Sequence, residues 1–291
     1  MSDVLVPLLG EELGREEERE LALRAARSLH EAWWGARPRR DALVRGRELH
    51  RLAVLAEARE VALEVGSDLA RAFERENRYR ETKEVCEATL GLVEDKWLRA
   101  RLGGAEFGLG NGEEALEHLE RAQRMAGEGE DGEVEDRARD RALIAGRRAD
   151  VLETRGELDE ALRIRREEAL PVYEQLGDVR ERAVTMGKIA DVLQARGELD
   201  EALRIRREEQ LPVYEQLGDV RELLVARAKL ALSLLQRGEP NDREEAQSLL
   251  LQALREAARL RLPEADQIVQ ILARAGMLPS EERGEQEPSE D

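Results

Sequence analysis

Apolar residues recur at steps of three and four along most of this chain, the spacing that places them on one face of an α-helix. In ERAVTMGKIADVLQARG, Val184, Ile189, Val192 and Leu193 form such a face, and the pattern stops at Gly197. A second helix is expected in ELDEALRIRREEQLPVYEQLG, with Leu199, Ala202, Leu203 and Ile205 inward and Gly218 as its stop. No β-type alternation interrupts the pattern. Pro171 and Pro212 fall well inside the longer helices, where proline removes a backbone hydrogen bond and crowds the carbonyl four residues back, so a kink or a break into two segments is expected at each.

This helix, glycine turn, helix unit is written twice. ADVLETRGELDEALRIRREEALPVYEQLGDVR begins at Ala149, and a copy begins forty-one residues later at Ala190, differing only at Glu153/Gln194, Thr154/Ala195 and Ala169/Gln210. A catalytic site is one convergence of unlike groups, whereas a near-perfect duplication points to a unit that stacks on copies of itself. Gly238 lies 41 residues after Gly197 and continues the series, with three extra residues before Ala246. Upstream, shorter versions turn at Asn77 and Gly110, 33 residues apart.

The pattern resembles the tetratricopeptide repeat family. Leu102, Gly103, Phe107, Gly110 and Ala115 match its small-residue and turn positions in one unit; Leu69, Ala70, Phe73, Asn77, Tyr79 and Thr82 match more loosely in the preceding one. In the duplicated units Ala149, Leu152, Gly156 and Ala161 take these positions in the first copy, and Ile189, Ala190, Leu193, Gly197 and Ala202 in the second. Small residues let helix backbones approach, and a turn glycine takes a left-handed conformation cheaply. The 41-residue period exceeds the usual 34, and the usual proline at the repeat end is replaced by one inside the helix. The resemblance implies an all-α fold, an α-solenoid in which antiparallel helix hairpins wind into a right-handed superhelix.

The expected organisation is a helical cap or degenerate repeat over residues 1–65, five hairpins over 66–262, a capping helix over 263–278, and a disordered acidic tail over 279–291. Within the first region, EEERELALRAARSLHEAWW and RRDALVRGRELHRLAVLAEAREVALEVG read as two helices separated by GARP, with one of Trp33 and Trp34 a candidate exposed anchor. The capping helix is expected because an array must cover its last apolar face.

Composition fits this picture: 38% of residues are charged, 41% hydrophobic and only 3% aromatic, as suits thin seams of Leu and Ala. The formal net charge is −18, much of it in GEGEDGEVED (127–136) and SEERGEQEPSED (280–291). A nucleic-acid backbone would meet a repulsive field, so no nucleic-acid partner is expected. No apolar run reaches the ~20 residues of a membrane helix, and the amino terminus lacks a signal pattern, so a cytoplasmic protein with no membrane partner is expected.

Candidate chemistry is sparse. Cys86 is the single cysteine and reads as a small buried side chain, and His30, His50 and His118 are scattered. RLGGAEFGLGNG lacks the preceding strand and the Lys-Ser/Thr of a phosphate loop. Asp159, Arg163, Glu167, Arg165 and Glu168 are read as solvated helical ion pairs. No catalytic residue, cofactor or metal is expected. The informative positions recur on the first helix of each unit, whose exposed face would line the concave groove that the resemblance implies. Arg147, Lys188 and Lys229 form one column at 41-residue spacing; Asp150, Asp191 and Leu232 form a second; Glu153, Gln194 and Leu235 form a third. Such a track, charged at one end and apolar at the other, suits a mixed acidic and hydrophobic segment of another protein.

The expected function is therefore a non-enzymatic interaction scaffold or adaptor. Long, nearly identical repeats of this type are similar to those of GC-rich bacteria, in signalling and defence proteins often found beside caspase-like proteases, which implies a regulator or inhibitor of such a protease or of a transcription factor. A self-assembling scaffold and an RNA-binding helical repeat are the alternatives, and the oligomeric state is open.

Overall fold

A computed structural model describes residues 14–34, 42–128 and 133–278. The 279–291 tail, residues 129–132 of GEGEDGEVED and the Trp33 side chain lie outside the described residues. Among the described residues every regular element is helical and there is no strand. The all-α repeat class expected from the sequence is the one observed.

The chain divides into two compact units, residues 1–155 and 156–291. In the first, α1 (Arg15–Leu29) runs into a π-helical turn, His30–Trp34. It is followed by α2 (Ala42–Leu55), α3 (Arg59–Arg75), α4 (Tyr79–Leu90), α5 (Lys96–Gly108), α6 (Gly112–Glu128) and α7 (Val134–Thr154). One core joins Leu49 and Ala53 of α2 to Val65, Leu69 and Phe73 of α3 and to Val85 and Cys86 of α4; another joins Ala100 of α5 to Ala115, Leu119 and Ala122 of α6 and Ile144 and Val151 of α7.

The second unit holds α8 (Leu158–Ile164), α9 (Leu170–Gln175), α10 (Val179–Ala195), α11 (Leu199–Ile205), α12 (Leu211–Leu217), α13 (Val220–Arg237), α14 (Asp242–Arg259) and α15 (Glu264–Arg274). Asp178 and Asp219 cap α10 and α13 by accepting from the backbone N–H of Glu181 and Glu222. Helix α15 lays Ile268 and Leu272 against Leu224, Leu230 and Leu234 of α13 and Leu250, Ala253 and Ala257 of α14.

All five turn residues read from the sequence have positive φ: Asn77 (56°), Gly110 (89°), Gly156 (81°), Gly197 (84°) and Gly238 (74°). At Asn77, Gly110 and Gly197 the next residue's N–H closes a 6→1 bond, Arg78 to Phe73, Asn111 to Glu106 and Glu198 to Leu193, which satisfies an orphan helix carbonyl.

The same closure appears where no glycine announces it. Glu57 has φ 51° and Ala58 N–H bonds to the Ala53 carbonyl, so the single helix expected through RRDALVRGRELHRLAVLAEAREVALEVG is two helices, α2 and α3. A left-handed non-glycine residue costs about 1–2 kcal/mol. Folding α2 back on α3 buries Leu49, Ala53, Ala62, Val65 and Leu69 completely, which outweighs that cost. The boundary expected between 65 and 66 accordingly falls inside α3.

At Pro171 and Pro212 the break takes a specific form. A π-helical turn, Arg165–Ala169 or Arg206–Gln210, stands just before each Leu-Pro pair, and the proline opens the following helix. The Leu170 and Leu211 N–H groups bond five residues back, to the carbonyls of Arg165 and Arg206. The widened turn accommodates a proline that cannot donate. It also turns its first residue inward: Arg165 is 3% exposed and Arg206 is fully buried. The reading of Arg165 as a solvated pair partner is thereby corrected. Asp159, expected beside Arg163, instead pairs with Arg196 at 2.7 Å.

Candidate functional site

The columns read from the sequence divide between the two units. In the first, Arg147 of α7 is half-buried and donates to Glu74 Oε1 of α3 at 3.0 Å; Arg101 of α5 pairs with the other oxygen of the same carboxylate. Burial pushes the Arg147 pKa down, and burial together with the neighbouring Arg147 and Arg71 lowers that of Arg101 to about 10. Asp150 and Glu153 follow Arg147 on α7 and are half-buried. Arg147 is thus a structural cation that holds α3 to α7.

In the second unit the structure brings four of the predicted residues together. Asp191 and Gln194 of α10 and Lys229 and Leu232 of α13 line a cleft of about 370 Å³ with Ala195, Gln236 and Arg206. Lys188, one turn before Asp191, stands outside this lining. Leu235 is packed against the α13 to α15 core instead.

Arg206 organises the cleft and was absent from the sequence-derived columns. Carried inward by the π turn, its Nη2 donates to Asp191 Oδ1 at 2.6 Å and to Gln194 Oε1 at 3.2 Å, and its Nε donates to Ser233 Oγ at 3.2 Å. Lys229 Nζ donates to the other Asp191 oxygen at 2.6 Å, and Gln194 Nε2 donates to Gln236 Oε1 at 2.8 Å. Burial works to raise the Asp191 pKa, but Lys229 and Arg206 outweigh it and hold the carboxyl below its ordinary value. Arg206 Nη1 is buried with no hydrogen-bond partner. Leaving such a donor unsatisfied costs about 1–3 kcal/mol. A signal for Arg206 did exist: Leu199, Leu203, Arg206 and Gln210 continue a three-to-four-residue spacing, so the arginine stands where the periodicity requires a buried residue.

Leu232 is 40% exposed, an apolar side chain at the opening of a charged cleft, and Val225 is exposed two turns earlier on α13. Elsewhere, Cys86 is completely buried, and burial pushes its thiol up to about 12. His50 is buried against Thr89, 2.7 Å away, beside a second cleft lined by Val44, Arg47, Glu48, Arg51, Val54, Glu84, Val85 and Ala88. Among the described residues no group of three or more His, Cys, Asp or Glu side chains could hold a metal ion, and no helix is long and apolar enough to cross a membrane.

No protein-family model matches this sequence, and no curated protein matches it. Solved structures do. A Podosopora anserina protein described as a kinesin light chain with nearly identical TPR-like repeats superposes with a TM-score of 0.56 at 19% identity, covering 68% of this chain and 96% of its own. Aspartyl phosphate phosphatase F from Bacillus subtilis gives 0.58 at 13% identity over 95% of this chain and 75% of its own. A Rap protein complexed with competence and sporulation factor gives 0.53 at 16% identity over 90% and 71%. The chain therefore has the fold of tetratricopeptide-type helical repeat proteins.

Proposed function

We propose that this protein is a non-enzymatic interaction scaffold that holds a segment of another protein against the exposed faces of α10 and α13. The observation that carries this reading is the cleft itself: Asp191, Gln194, Arg206, Lys229 and Leu232 place charge, amide groups and an exposed leucine around one opening. Binding surfaces of this kind combine an apolar anchor with a few placed polar groups. The structural neighbour solved in complex with competence and sporulation factor supports the idea that such a fold can carry a bound partner.

Another neighbour bears a phosphatase name, which makes an enzyme the competing class. The Cys86 thiol, buried and shifted upward, is a poor nucleophile at neutral pH, and this favours a scaffold. Within the scaffold reading, the near-identical repeats favour a regulator or inhibitor acting in the cytoplasm of a bacterium, in a signalling or defence system with a caspase-like protease or a transcription factor.

Affinity capture from lysate of the source cells, with wild type and a Lys229→Glu, Leu232→Glu variant of equal thermal stability, tests the proposal. Retention of a protein by wild type alone, reproduced with the purified pair, is expected. Equal retention by both removes the cleft from the function. A mass that grows with the concentration of the purified chain alone would favour a self-assembling scaffold instead.

A further inference from the structure

The cleft holds two cations, Arg206 and Lys229, against one carboxylate, Asp191, so it carries a net positive charge in a chain whose formal net charge is −18. Comparison with the other copies shows how this came about. Gln194 stands where the preceding copy has Glu153, and Leu232 stands where the two preceding units have Asp150 and Asp191. Each difference replaces an acid by an uncharged side chain at this one cleft. One of only three differences between the duplicated segments thus replaces an acid in its lining.

The donor inventory points the same way. A guanidinium has five N–H donors and no acceptor. In Arg206, Nη2 and Nε are engaged by Asp191, Gln194 and Ser233, while Nη1 is left without an acceptor although the side chain is fully buried. At the mouth of the same cleft, Lys229 and Gln236 carry long side chains with part of their surface in solvent, and Leu232 supplies an apolar wall. The pieces present are a buried, unsatisfied cationic donor, a second cation and a leucine.

We infer that the cleft between α10 and α13 anchors an aspartate or glutamate side chain, flanked by an apolar residue, in an internal segment of a partner protein, with Arg206 Nη1 and Lys229 taking the carboxylate. This inference rests on the scaffold reading and specifies the chemistry of its partner. Lys229 turns from Asp191 toward the incoming carboxylate, and the neighbouring apolar side chain covers Leu232. Arginine, with its planar fork of donors, suits such an acid better than lysine alone. The device belongs to the duplicated units: α14, the corresponding helix of the next hairpin, runs unbroken from Asp242 to Arg259 with no π turn to carry an arginine inward.

The test is selection from displayed libraries of random twelve-residue peptides by the purified full chain. In one arm the peptides lie inside constant flanking sequence; in the other they end in a free carboxylate. Wild type is expected to enrich internal peptides with Asp or Glu at a fixed spacing from Leu, Ile, Val or Met. Arg206→Met is expected to reduce that enrichment at least tenfold. Because Arg206 is buried and its loss can unfold the unit, Gln194→Glu serves as the second variant. It restores the acid of the preceding copy and is expected to weaken binding of the same peptides at least tenfold by repulsion. Enrichment of internal peptides with no acidic position, enrichment confined to the free-terminus arm, undiminished binding by folded Gln194→Glu, or no enrichment at all would each overturn the inference. Selection of purely apolar peptides, together with capture of a partner that depends on Lys229 and Leu232, would sink the inference and leave the scaffold reading intact.

Discussion

Arg206 Nη2 lies 2.6 Å from Asp191 Oδ1, and this contact ties the π turn between α11 and α12 to the C-terminal part of α10. Asp191 also accepts from Lys229 of α13, so one carboxylate joins three segments of the second unit.

Replacing Asp191 by Asn is expected to destabilise the second unit by about 3 kcal/mol, because it leaves the buried Arg206 charge without its counter-ion. The double variant Asp191→Asn, Arg206→Met is expected to recover part of that loss, since no unpaired charge remains. Urea unfolding of the four proteins of this cycle measures the coupling. An additive double variant would show that the contact carries little energy.

Two helical glycines should respond oppositely to alanine. A Cβ on Gly103 would stand 2.8 Å from Leu119 Cγ and 2.9 Å from the Ala115 carbonyl oxygen, where α5 and α6 cross closely. Overpacking of about 1–3 kcal/mol then exceeds the ~1 kcal/mol gained in helix propensity, so Gly103→Ala is expected to lower the melting temperature. A Cβ on Gly146 meets nothing within 4 Å, and Gly146→Ala is expected to raise it. Thermal melting of the two variants beside wild type decides the matter.

Burial lowers the His50 pKa from 6.5 to about 4. The folded state favours neutral imidazole, so the unfolded chain binds more protons between these two values. The contribution to stability is fully present above pH 6.5 and is lost as the pH falls toward 4. Its size is roughly 3 kcal/mol, because each tenfold loss of proton affinity on folding corresponds to about 1.4 kcal/mol. His50→Gln keeps a donor for Thr89 but does not titrate, and its melting temperature is expected to fall less than that of wild type between pH 7.5 and 4.5. The carboxylates, which include Glu48 and Glu84 of the same cleft, contribute to both proteins and cancel in the difference.

Cys86 should be unreactive in the folded protein. Its thiol is completely buried and shifted up to about 12, so little thiolate exists at neutral pH and reagent has no access. Iodoacetamide at pH 8 is expected to leave the native chain unmodified over a period that fully alkylates it in 6 M guanidinium, as read by intact mass. Comparable rates in the two conditions would show that the α3 to α4 core opens readily.

The repeat and its turns were legible in the sequence because they depend on local rules. An apolar stripe at a 3.6-residue period needs only the chain itself, and Gly110, Gly156, Gly197 and Gly238 announce left-handed turns because no other residue takes that conformation so cheaply. Pro171 and Pro212 announced an interruption for the same reason, since a missing N–H is a local fact. Tertiary structure decided what those signals could not carry. Glu57 is left-handed because two helices gain more by packing than one residue loses in strain. The interruption at each proline is a π turn, and that turn carries Arg206 toward Asp191, fifteen residues back, and Ser233, twenty-seven residues on. Column spacing by itself placed Arg147, Lys229 and Leu235 on one kind of surface. Packing instead gave Arg147 to Glu74, Lys229 to the cleft and Leu235 to the core, because which face of a helix meets a neighbour depends on side chains contributed by other helices.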